Sequence, residues 1–461
     1  MGGEFNPTRC IVESAIVKNK AGDTKDITAI IGEFSLSQGI NRIAINGILT
    51  CLDGVGVLEN YGLRGEEELD IVFRSFDFNT KVRLKAQIYR IDGVQRSEDG
   101  GSLKYNLYFA TRTSYKADLR KVTEAYREKT AGYIAEQIFK KNYSELKSTT
   151  PRSDGQELPG SFKSKKYRLA ADRERFFYVQ GTYGNLDLVV PTFRPSRALE
   201  LVAAKSYSKE SLSNSYRFFE NFDGYHFVTD EYLLEMGKAN PGMVHDLFYF
   251  PVMNKTVEDA EMQRRSIETF TNSRRAHTGQ DLYNGAYMNK VVEIDLLQHK
   301  VNFRTFNYLE DADYYTGQGK AVVRDDVHTE DFIKDTFLES NAKQFMVFRD
   351  YSGPEHIHPE PPLRPSVKTD QYYAEIKANR TAYGEHVKSN TVEIGLKGRL
   401  DIQAGHCVNI IMPEINIDSV RMENQTMVGT YLVTGITHIV KEGVCDTKAQ
   451  LVKYGHVGLI A

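Results

Sequence analysis

The first part of the chain alternates apolar and polar residues with a period of two, the pattern of half-buried β-strands. Turn signals such as Lys20-Ala21-Gly22-Asp23 separate the alternating runs. The predicted strands are Cys10 to Val17, Thr28 to Leu36, Arg42 to Leu52, Glu68 to Arg74, Lys81 to Ile91 and Leu103 to Thr113. This set is large enough to form one antiparallel β-barrel.

The same alternation returns near the C-terminal end, from Thr391 to Tyr454. Lys441-Glu442-Gly443 is typical of a hairpin turn, and Gly435 is typical of a bulge within a strand. The pattern predicts a four-stranded antiparallel meander, and its arrangement echoes the second half of the first stretch as an internal repeat. The predicted strands are Val392 to Leu396, Cys407 to Met412, Tyr431 to Val440 and Cys445 to Tyr454.

Within this meander, individual positions carry specific expectations. Gly405 is expected at a turn that needs a positive φ or a close backbone approach. Val408 and Ile410 alternate onto one face, and we expect Leu400 and Ile402 to be their packing partners.

Between the two β-rich stretches the pattern is mixed. Apolar residues at three- and four-residue spacing predict an amphipathic helix over Ala117 to Lys141. Ser196 is predicted to cap a second helix, and Thr229 a third. Two further hairpins are predicted, an aromatic one turning at Asp223-Gly224 and one formed by Gly285 to Leu296 with Lys300 to Phe306. Further helices are predicted over Glu258 to Phe270, Asp331 to Leu338 and Gln371 to Lys388. The segment 144–166 is predicted to be a loop or arm, and 350–368 a proline-rich connector.

These patterns predict a mainly β protein with α+β insertions. We expect two antiparallel β-barrel domains and an inserted mixed α/β region, because 461 residues exceed the size at which one core stops growing. The expected domains are a first barrel over 1–115, a helical and mixed α+β domain over 116–215, a second barrel from 216–235 and 389–461, and an insertion over 236–388.

Composition excludes several classes of protein. A net charge of −3 with 26% charged residues gives no global attraction to nucleic acid or anionic lipid, so direct nucleic-acid binding is not expected. No apolar run is long enough to span a bilayer, and the first residues do not resemble a signal peptide, so we expect a chain without a membrane anchor that folds in a cytoplasm. Cys10, Cys51, Cys407 and Cys445 show no paired spacing and are expected to be small buried hydrophobes.

Few residues are candidates for a metal-binding or catalytic site. His356 and His358, followed by Glu360, are a minor candidate for a metal site, but a solvated loop is the favoured interpretation, so no metal, cofactor or catalytic residue is predicted. The acidic runs Glu66-Glu67-Glu68 and Asp325-Asp326 lie on polar turns and do not supply the two carboxylates across a cleft that glycoside hydrolysis needs. The paired arginines Arg264-Arg265 and Arg274-Arg275 are expected to be solvated or paired with acids, and His438 is expected to be a packed or a surface strand histidine and not a base.

The order and spacing of glycine, apolar and proline positions in the C-terminal meander form a distinctive pattern. The positions that carry it are Gly398, Leu400, Ile402, Gly405, Val408, Ile410, Pro413, Gly429, Tyr431, Leu432, Val433, Ile436 and His438. This pattern resembles the barrel segment of baseplate hub proteins of contractile-tailed bacteriophages. The same hub fold forms the head of type VI secretion spike proteins.

This resemblance implies a non-enzymatic structural subunit. Two tail-tube-like barrels per chain and three chains would form a pseudo-sixfold ring that joins the tail tube to the central spike. The implied partners are two further copies of the chain, a central spike protein, a tail tube or tube-initiator protein and the surrounding baseplate proteins, in a virion tail assembled in the host cytoplasm. Because the chain ends soon after its last predicted strand, the spike is expected to be another polypeptide. The alternatives are a tail-associated cell-envelope hydrolase and a receptor- or carbohydrate-binding tail protein.

Overall fold

The protein is described from a computed structural model. The described residues are 9–75, 81–96, 101–143, 164–168, 175–208, 214–239, 241–249, 265–272, 278–295, 299–307, 343–348, 377–378, 380–385, 391–411 and 428–453.

The described residues are mainly β-strands with a few short helices. The strands are β1 (Cys10–Lys18), β2 (Thr24–Asp26), β3 (Ile31–Gly39), β4 (Asn46–Asp53), β5 (Glu68–Ser75), β6 (Lys81–Arg96), β7 (Leu103–Thr111), β8 (Val122–Lys129), β9 (Ser164–Arg168), β10 (Phe176–Gln180), β11 (Leu186–Phe193), β12 (Arg217–Asn221), β13 (Gly224–Val228), β14 (Val244–Tyr249), β15 (Ser266–Ile267), β16 (Thr269–Asn272), β17 (Met288–Asp295), β18 (Lys300–Asn307), β19 (Lys343–Phe348), β20 (Thr391–Lys397), β21 (Cys407–Ile411), β22 (Gly429–Lys441) and β23 (Val444–Lys453). The helices are α1 (Arg112–Asp118), α2 (Ala131–Asn142), α3 (Pro195–Ala204), α4 (Asp230–Ala239) and α5 (Thr278–Asn284).

One large sheet contains both β-rich stretches of the sequence. Its strands follow the order β15-β14-β21-β22-β3-β4-β7-β6-β5-β1-β2, with β23, β20 and β16 branching from β22. The predicted N-terminal strands are confirmed as β1 and β3 to β7. Their alternate side chains are buried in a first core that includes Phe34, Leu49, Phe73, Leu84 and Phe109.

The C-terminal strands form a second core on the same sheet. Val408, Ile410 and Ile402 pack together in it as expected, whereas Leu400 packs into the first core. The expectation of a four-stranded meander is wrong in one respect. Strands β21, β22 and β23 are consecutive neighbours, but β20 pairs with the far side of β23 and not with β21. The segment between β20 and β21 therefore crosses the sheet, and the Gly398 N–H bonds to the Cys445 carbonyl at 2.8 Å.

Strands β14 to β16 add to this second core. β14 runs parallel to β21, and β16 pairs with β20. A helix over Glu258 to Phe270 was expected, but the described part of that range is strand. The β-branched residues Ile267, Thr269 and Thr271 find backbone partners on two neighbouring strands, and such pairing overrides a local helical preference.

The elements α1 to α3 and β8 to β13 form a second body, called here the α+β body. It has a third core, formed by α2 and α3 against a four-stranded sheet of order β12-β13-β10-β9. Residues 217–228 therefore pair here, and not with the C-terminal strands as expected for 216–235. The predicted helix over Ala117 to Lys141 is interrupted, because β8 pairs with β11 and a new helix begins after Thr130, whose hydroxyl accepts from the Tyr133 N–H. Val122 and Tyr126 are four residues apart, a spacing that places two side chains on the same face of a strand as well as of a helix.

Other local expectations have mixed outcomes. The aromatic hairpin is confirmed, with its two turn residues at Phe222 and Asp223, one position before the predicted Asp223-Gly224. Thr229 caps α4 by accepting the Tyr232 N–H at 3.1 Å. Ser196 does not cap α3, because that helix begins at Pro195 and the Ser196 hydroxyl donates to Asp118 at 2.9 Å.

A smaller sheet of order β18-β17-β19 lies in the region expected to be an insertion. Its β17–β18 hairpin is confirmed. The predicted helix over Gln371 to Lys388 is present at 380–385. The expectations for the helix over 331–338 and for the proline-rich connector 350–368 lie outside the described residues, as does most of the arm 144–166, whose described end belongs to β9.

Among the described residues, the ladders form several sheets, none of which closes on itself as a barrel, so the two barrels remain a proposal. No described helix has both the length and the apolar character needed to cross a membrane.

The second core generates a stability prediction. Val408 has no exposed surface, so Val408→Asp would place an unpaired charge among apolar side chains. We expect a loss of several kcal/mol, a large part of the roughly 5–15 kcal/mol that stabilises a domain. The yield of folded protein and the calorimetric melting temperature measure this loss.

The matched control is Val189→Asp, which introduces the same side chain at a valine that is 70% exposed on β11. This variant should melt close to wild type. Equal melting of the Val408→Asp and wild-type proteins would contradict the placement of β21 in the core.

Candidate functional site

A buried carboxylate lies where the large sheet meets the α+β body. Glu220 of β12 has no exposed surface. Its Oε2 atom accepts hydrogen bonds from the Thr111 hydroxyl, from the Ser114 hydroxyl at 2.8 Å and from the Ile45 N–H at 3.3 Å. Its Oε1 atom accepts from Arg175 Nη2 at 2.7 Å. The charge is therefore paired and hydrogen-bonded, which is the condition for keeping a carboxylate out of water.

Arg175 links the Glu220 carboxylate to the turn between β12 and β13. Its guanidinium donates to the carbonyl of Asn221 at 2.7 Å and to that of Phe222 at 3.3 Å, and it lies 5.3 Å from the ring centroid of Tyr225. Burial, and then the charge of Glu220, raises the pKa of Tyr225 well above its usual value. Tyr225 therefore stays protonated near neutral pH, and its hydroxyl lies 2.9 Å from the Ser114 hydroxyl.

A chain of imidazoles and carboxylates connects the second core to the α+β body. His245 Nε2 of β14 lies 3.0 Å from His406 Nδ1, and His245 Nδ1 lies 3.3 Å from Asp401 Oδ2. Arg399 donates two hydrogen bonds of 2.9 Å to Asp401. At the other end, His406 Nε2 is 3.9 Å from Asp223 in the β12–β13 turn. The chain therefore spans three separate parts of the sequence.

The protonation of these groups follows from their burial. Burial lowers the pKa of His245, although Asp401 opposes the shift. Burial works against ionisation of Asp401, but hydrogen bonds from His245 and Arg399 outweigh it and hold the pKa of Asp401 below its usual value. His226, stacked between Tyr178 and Phe219 with ring centroids 4.8 Å away on each side, has its pKa lowered to about 3 by burial.

These groups are arranged to hold elements together. An acid or base that acts on a substrate must lie within hydrogen-bond reach of it, whereas Glu220 is enclosed and Arg399 and His406 are each less than 5% exposed. In the part of the chain that the structure describes, no group of three or more His, Cys, Asp or Glu residues is placed to bind a metal ion. The arrangement fixes the turn of β12–β13 and the segment 399–406 against the large sheet.

The sequence-predicted positions are mostly structural. Gly398, Gly405 and Gly429 have φ angles of 71°, 87° and 133°, and a side chain at Gly405 would meet the Phe219 ring at 3.0 Å. Val408 and Tyr431 are buried. His438 is buried on β22, where its Nδ1 lies 3.1 Å from the Thr447 hydroxyl, as expected for a packed strand histidine. Pro413, His356, His358 and Glu360 lie outside the described residues.

The acidic run at 66–68 also has local partners. Glu67 is buried and accepts the N–H groups of Arg64, Gly65 and Glu66, so it holds a turn. Glu68 pairs with Arg112 and Lys116. Asp325 and Asp326 lie outside the described residues, as do Arg264, Arg274 and Arg275.

Sequence reasoning missed Glu220, Arg175, His245 and His406. One signal was present for Glu220, because a carboxylate within the aromatic run Phe218-Phe219-Glu220 has to be paired if the run is buried. The two histidines carried no comparable signal, since their partners lie far away in the sequence.

The lowered pKa of His226 predicts acid sensitivity. The unfolded chain takes up a proton at the ordinary histidine pKa of about 6.5, whereas the folded chain does so only near 3, so folding stability falls as the pH drops below about 6.5. Between pH 7 and pH 5 this group should remove about 2 kcal/mol of unfolding free energy. Three neighbouring charges also act on His226: Asp223 raises its pKa, whereas His406 and Arg175 lower it.

Calorimetry at the two pH values measures the effect, and His226→Gln should reduce the acid-induced loss. His299→Gln is the matched control, because His299 is exposed. An equal pH dependence in wild type and His226→Gln would contradict the assignment.

Comparison with known proteins gives matches in structure only. No protein-family model matches the chain, and no curated protein matches it in sequence. The tail protein of Neisseria meningitidis MC58 superposes with a TM-score of 0.51 at 10% identity, covering 95% of this chain and 96% of that protein.

Two further structures are similar at lower scores. The 43 kDa tail protein of prophage MuSo2 from Shewanella oneidensis covers 96% of this chain and 98% of its own, at 9% identity and a TM-score of 0.48. An E. coli component of the type VI secretion system, described as similar to the phage T4 tail proteins gp27 and gp5, covers 97% of this chain and 77% of its own, at 8% identity and a TM-score of 0.40. The likeness to phage tail proteins that the C-terminal segment indicated is confirmed at the level of the fold, because this chain shares its fold with the Neisseria tail protein along almost its whole length.

Proposed function

We propose that this chain is a structural subunit of a phage-type tail, located at the baseplate hub. One observation carries the proposal: the fold of a tail protein is matched over 95% of this chain and 96% of the other. A match over nearly the whole length of both chains includes the α+β body and the smaller sheet as well as the β-rich stretches, so it concerns the architecture of the whole subunit. A shared β-sheet module alone would not produce it.

The strand pairing of the large sheet is an argument for two tube-like barrels in each chain. The first would comprise residues 1–115, and the second would comprise 389–461 together with β14, β15 and β16. Each has its own apolar core. An isolated antiparallel bridge joins Arg9 to Val444 and brings β1 to the start of β23, and β16 brings the segment after β14 to β20. These links lie where two rolled sheets would have to close.

Two similar bodies joined edge to edge suit a threefold ring with pseudo-sixfold symmetry. In each chain β3 of the first body pairs with β22 of the second. Three copies related by a cyclic axis would then present six similar bodies around a channel, and closed cyclic symmetry is the common solution for a ring. The proposed partners are a central spike protein on one side, a tail tube or tube-initiator protein on the other, and the surrounding baseplate proteins, in a virion tail assembled in the host cytoplasm.

The proposed role is not enzymatic. The carboxylates Glu220, Asp401 and Asp230 are engaged with arginines of their own chain. A hydrolase needs a carboxyl group with a raised pKa opposite a second carboxylate across a cleft. The pKa of Asp401 is shifted in the opposite direction, since it lies below the usual value.

The ring predicts a defined mass in solution. At micromolar concentration, size-exclusion chromatography with light scattering should give three times the chain mass of 52.4 kDa. Electron microscopy of the same peak should show a ring with three strong and three weaker repeats. A monomer at all concentrations, with or without a co-expressed spike protein, would argue strongly against the hub assignment.

The absence of catalysis is equally testable. The purified chain should produce no clearing in a peptidoglycan zymogram, at a loading at which lysozyme clears the gel. Clearing that disappears on a single carboxylate substitution would favour the hydrolase alternative.

A further inference from the structure

A groove of about 560 Å³ opens between the first core and the α+β body. It is lined from β4, β6, α1 and the residues before α3, so its walls come from parts of the chain that are far apart in sequence. Both polar and apolar groups line it. Tyr89 and Tyr115 stack with ring centroids 5.7 Å apart on one side, and Leu119, which is 69% exposed, lies at the end of α1.

Two arginines give the groove its charge. Arg42 and Arg194 both line it and both are exposed. Among the described residues, neither guanidinium makes an ion pair or a side-chain hydrogen bond. The groove also contains one carboxylate, Asp118, but it accepts the N–H of Ser196 at 3.2 Å and the Ser196 hydroxyl at 2.9 Å. Serine is a neutral donor and leaves the charge of Asp118 in place, so the groove carries two positive charges against one negative charge and its net charge is positive.

The floor of the groove is rigid. Ser114 lines it and donates to the enclosed Glu220 at 2.8 Å, and the same carboxylate is bound by Arg175. A groove whose base is fixed by a buried ion pair requires little reorganisation on binding, and this lowers the entropic cost of ordering a ligand.

We propose that this groove binds an acidic segment of a partner protein that also carries aliphatic side chains. Carboxylates of the segment would pair with Arg42 and Arg194, whose planar guanidinium groups suit bidentate recognition. The aliphatic side chains would cover Leu119 and the tyrosine pair. A nucleic acid is the less suitable occupant, because the chain as a whole carries a net charge of −3 and the two arginines of the groove share it with the carboxylate of Asp118. The proposal is independent of the number of copies in the assembly.

The test uses the full chain and a short fluorescein-labelled peptide of alternating glutamate and leucine. Fluorescence anisotropy should detect binding that weakens with added salt, and the peptide with glutamine in place of glutamate should bind at least about tenfold more weakly. Arg42→Glu combined with Arg194→Glu should weaken binding of the acidic peptide by at least about tenfold, a change of about 1.4 kcal/mol. Leu119→Ser should weaken binding of both peptides by a smaller factor.

The matched control is Arg96→Glu combined with Arg127→Glu, which makes the same change in net charge at two exposed arginines outside the groove. This control should bind like wild type, and all variants should keep the wild-type melting temperature. Equal losses in the groove and control variants would overturn the proposal, as would no measurable binding by wild type. Displacement of the peptide by an oligothymidine of equal charge at lower concentration would instead assign the groove to nucleic acid.

Discussion

The arrangement of the large sheet depends on one strand, β22, which belongs to both of its cores. The N-terminal part of β22 packs Tyr431, Val433 and Ile436 into the second core, and its C-terminal part packs Val440 into the first. It pairs with β21 and β23 of the C-terminal region and with β3 of the N-terminal region. A register error of one residue would turn all these side chains to the opposite face, so this strand fixes both cores together.

Strand β22 also contains a bulge. The pairing with β23 shifts between Val433 and Gly435, where an extra residue bends the strand and increases its twist. Beyond the bulge the strand continues from Ile436 in the second core to Val440 in the first. The two β-rich bodies of the chain are therefore joined by backbone hydrogen bonds between β3 and β22.

Buried charges supply the second constraint, which is orientation. Apolar packing is non-directional, but the Glu220 carboxylate can satisfy Thr111, Ser114 and Arg175 in only one placement of β12 against the large sheet. The chain from Arg399 through His245 to Asp223 adds a similar requirement on the other side. Removing one partner of such a pair costs more than the pair contributes, since the other charge stays buried. The most enclosed polar groups of this chain therefore define how β12 and the segment 399–406 are placed against the large sheet.

The sequence by itself determined those features whose cause is local. The alternation of side chains located the N-terminal strands, the positive φ at Gly405 and the turn at Glu442-Gly443 followed from glycine chemistry, and the Thr229 cap followed from the hydroxyl before α4. The tertiary structure alone decided which strands pair. Strand β20 pairs with β23 and not with β21, the next strand in the sequence. The segment of β8 is a strand because it pairs with β11. The partners of Glu220 and His406 come from distant segments of the chain. Backbone turns depend on a few adjacent dihedral angles, whereas strand partners and buried ion pairs depend on which surfaces the whole chain brings together.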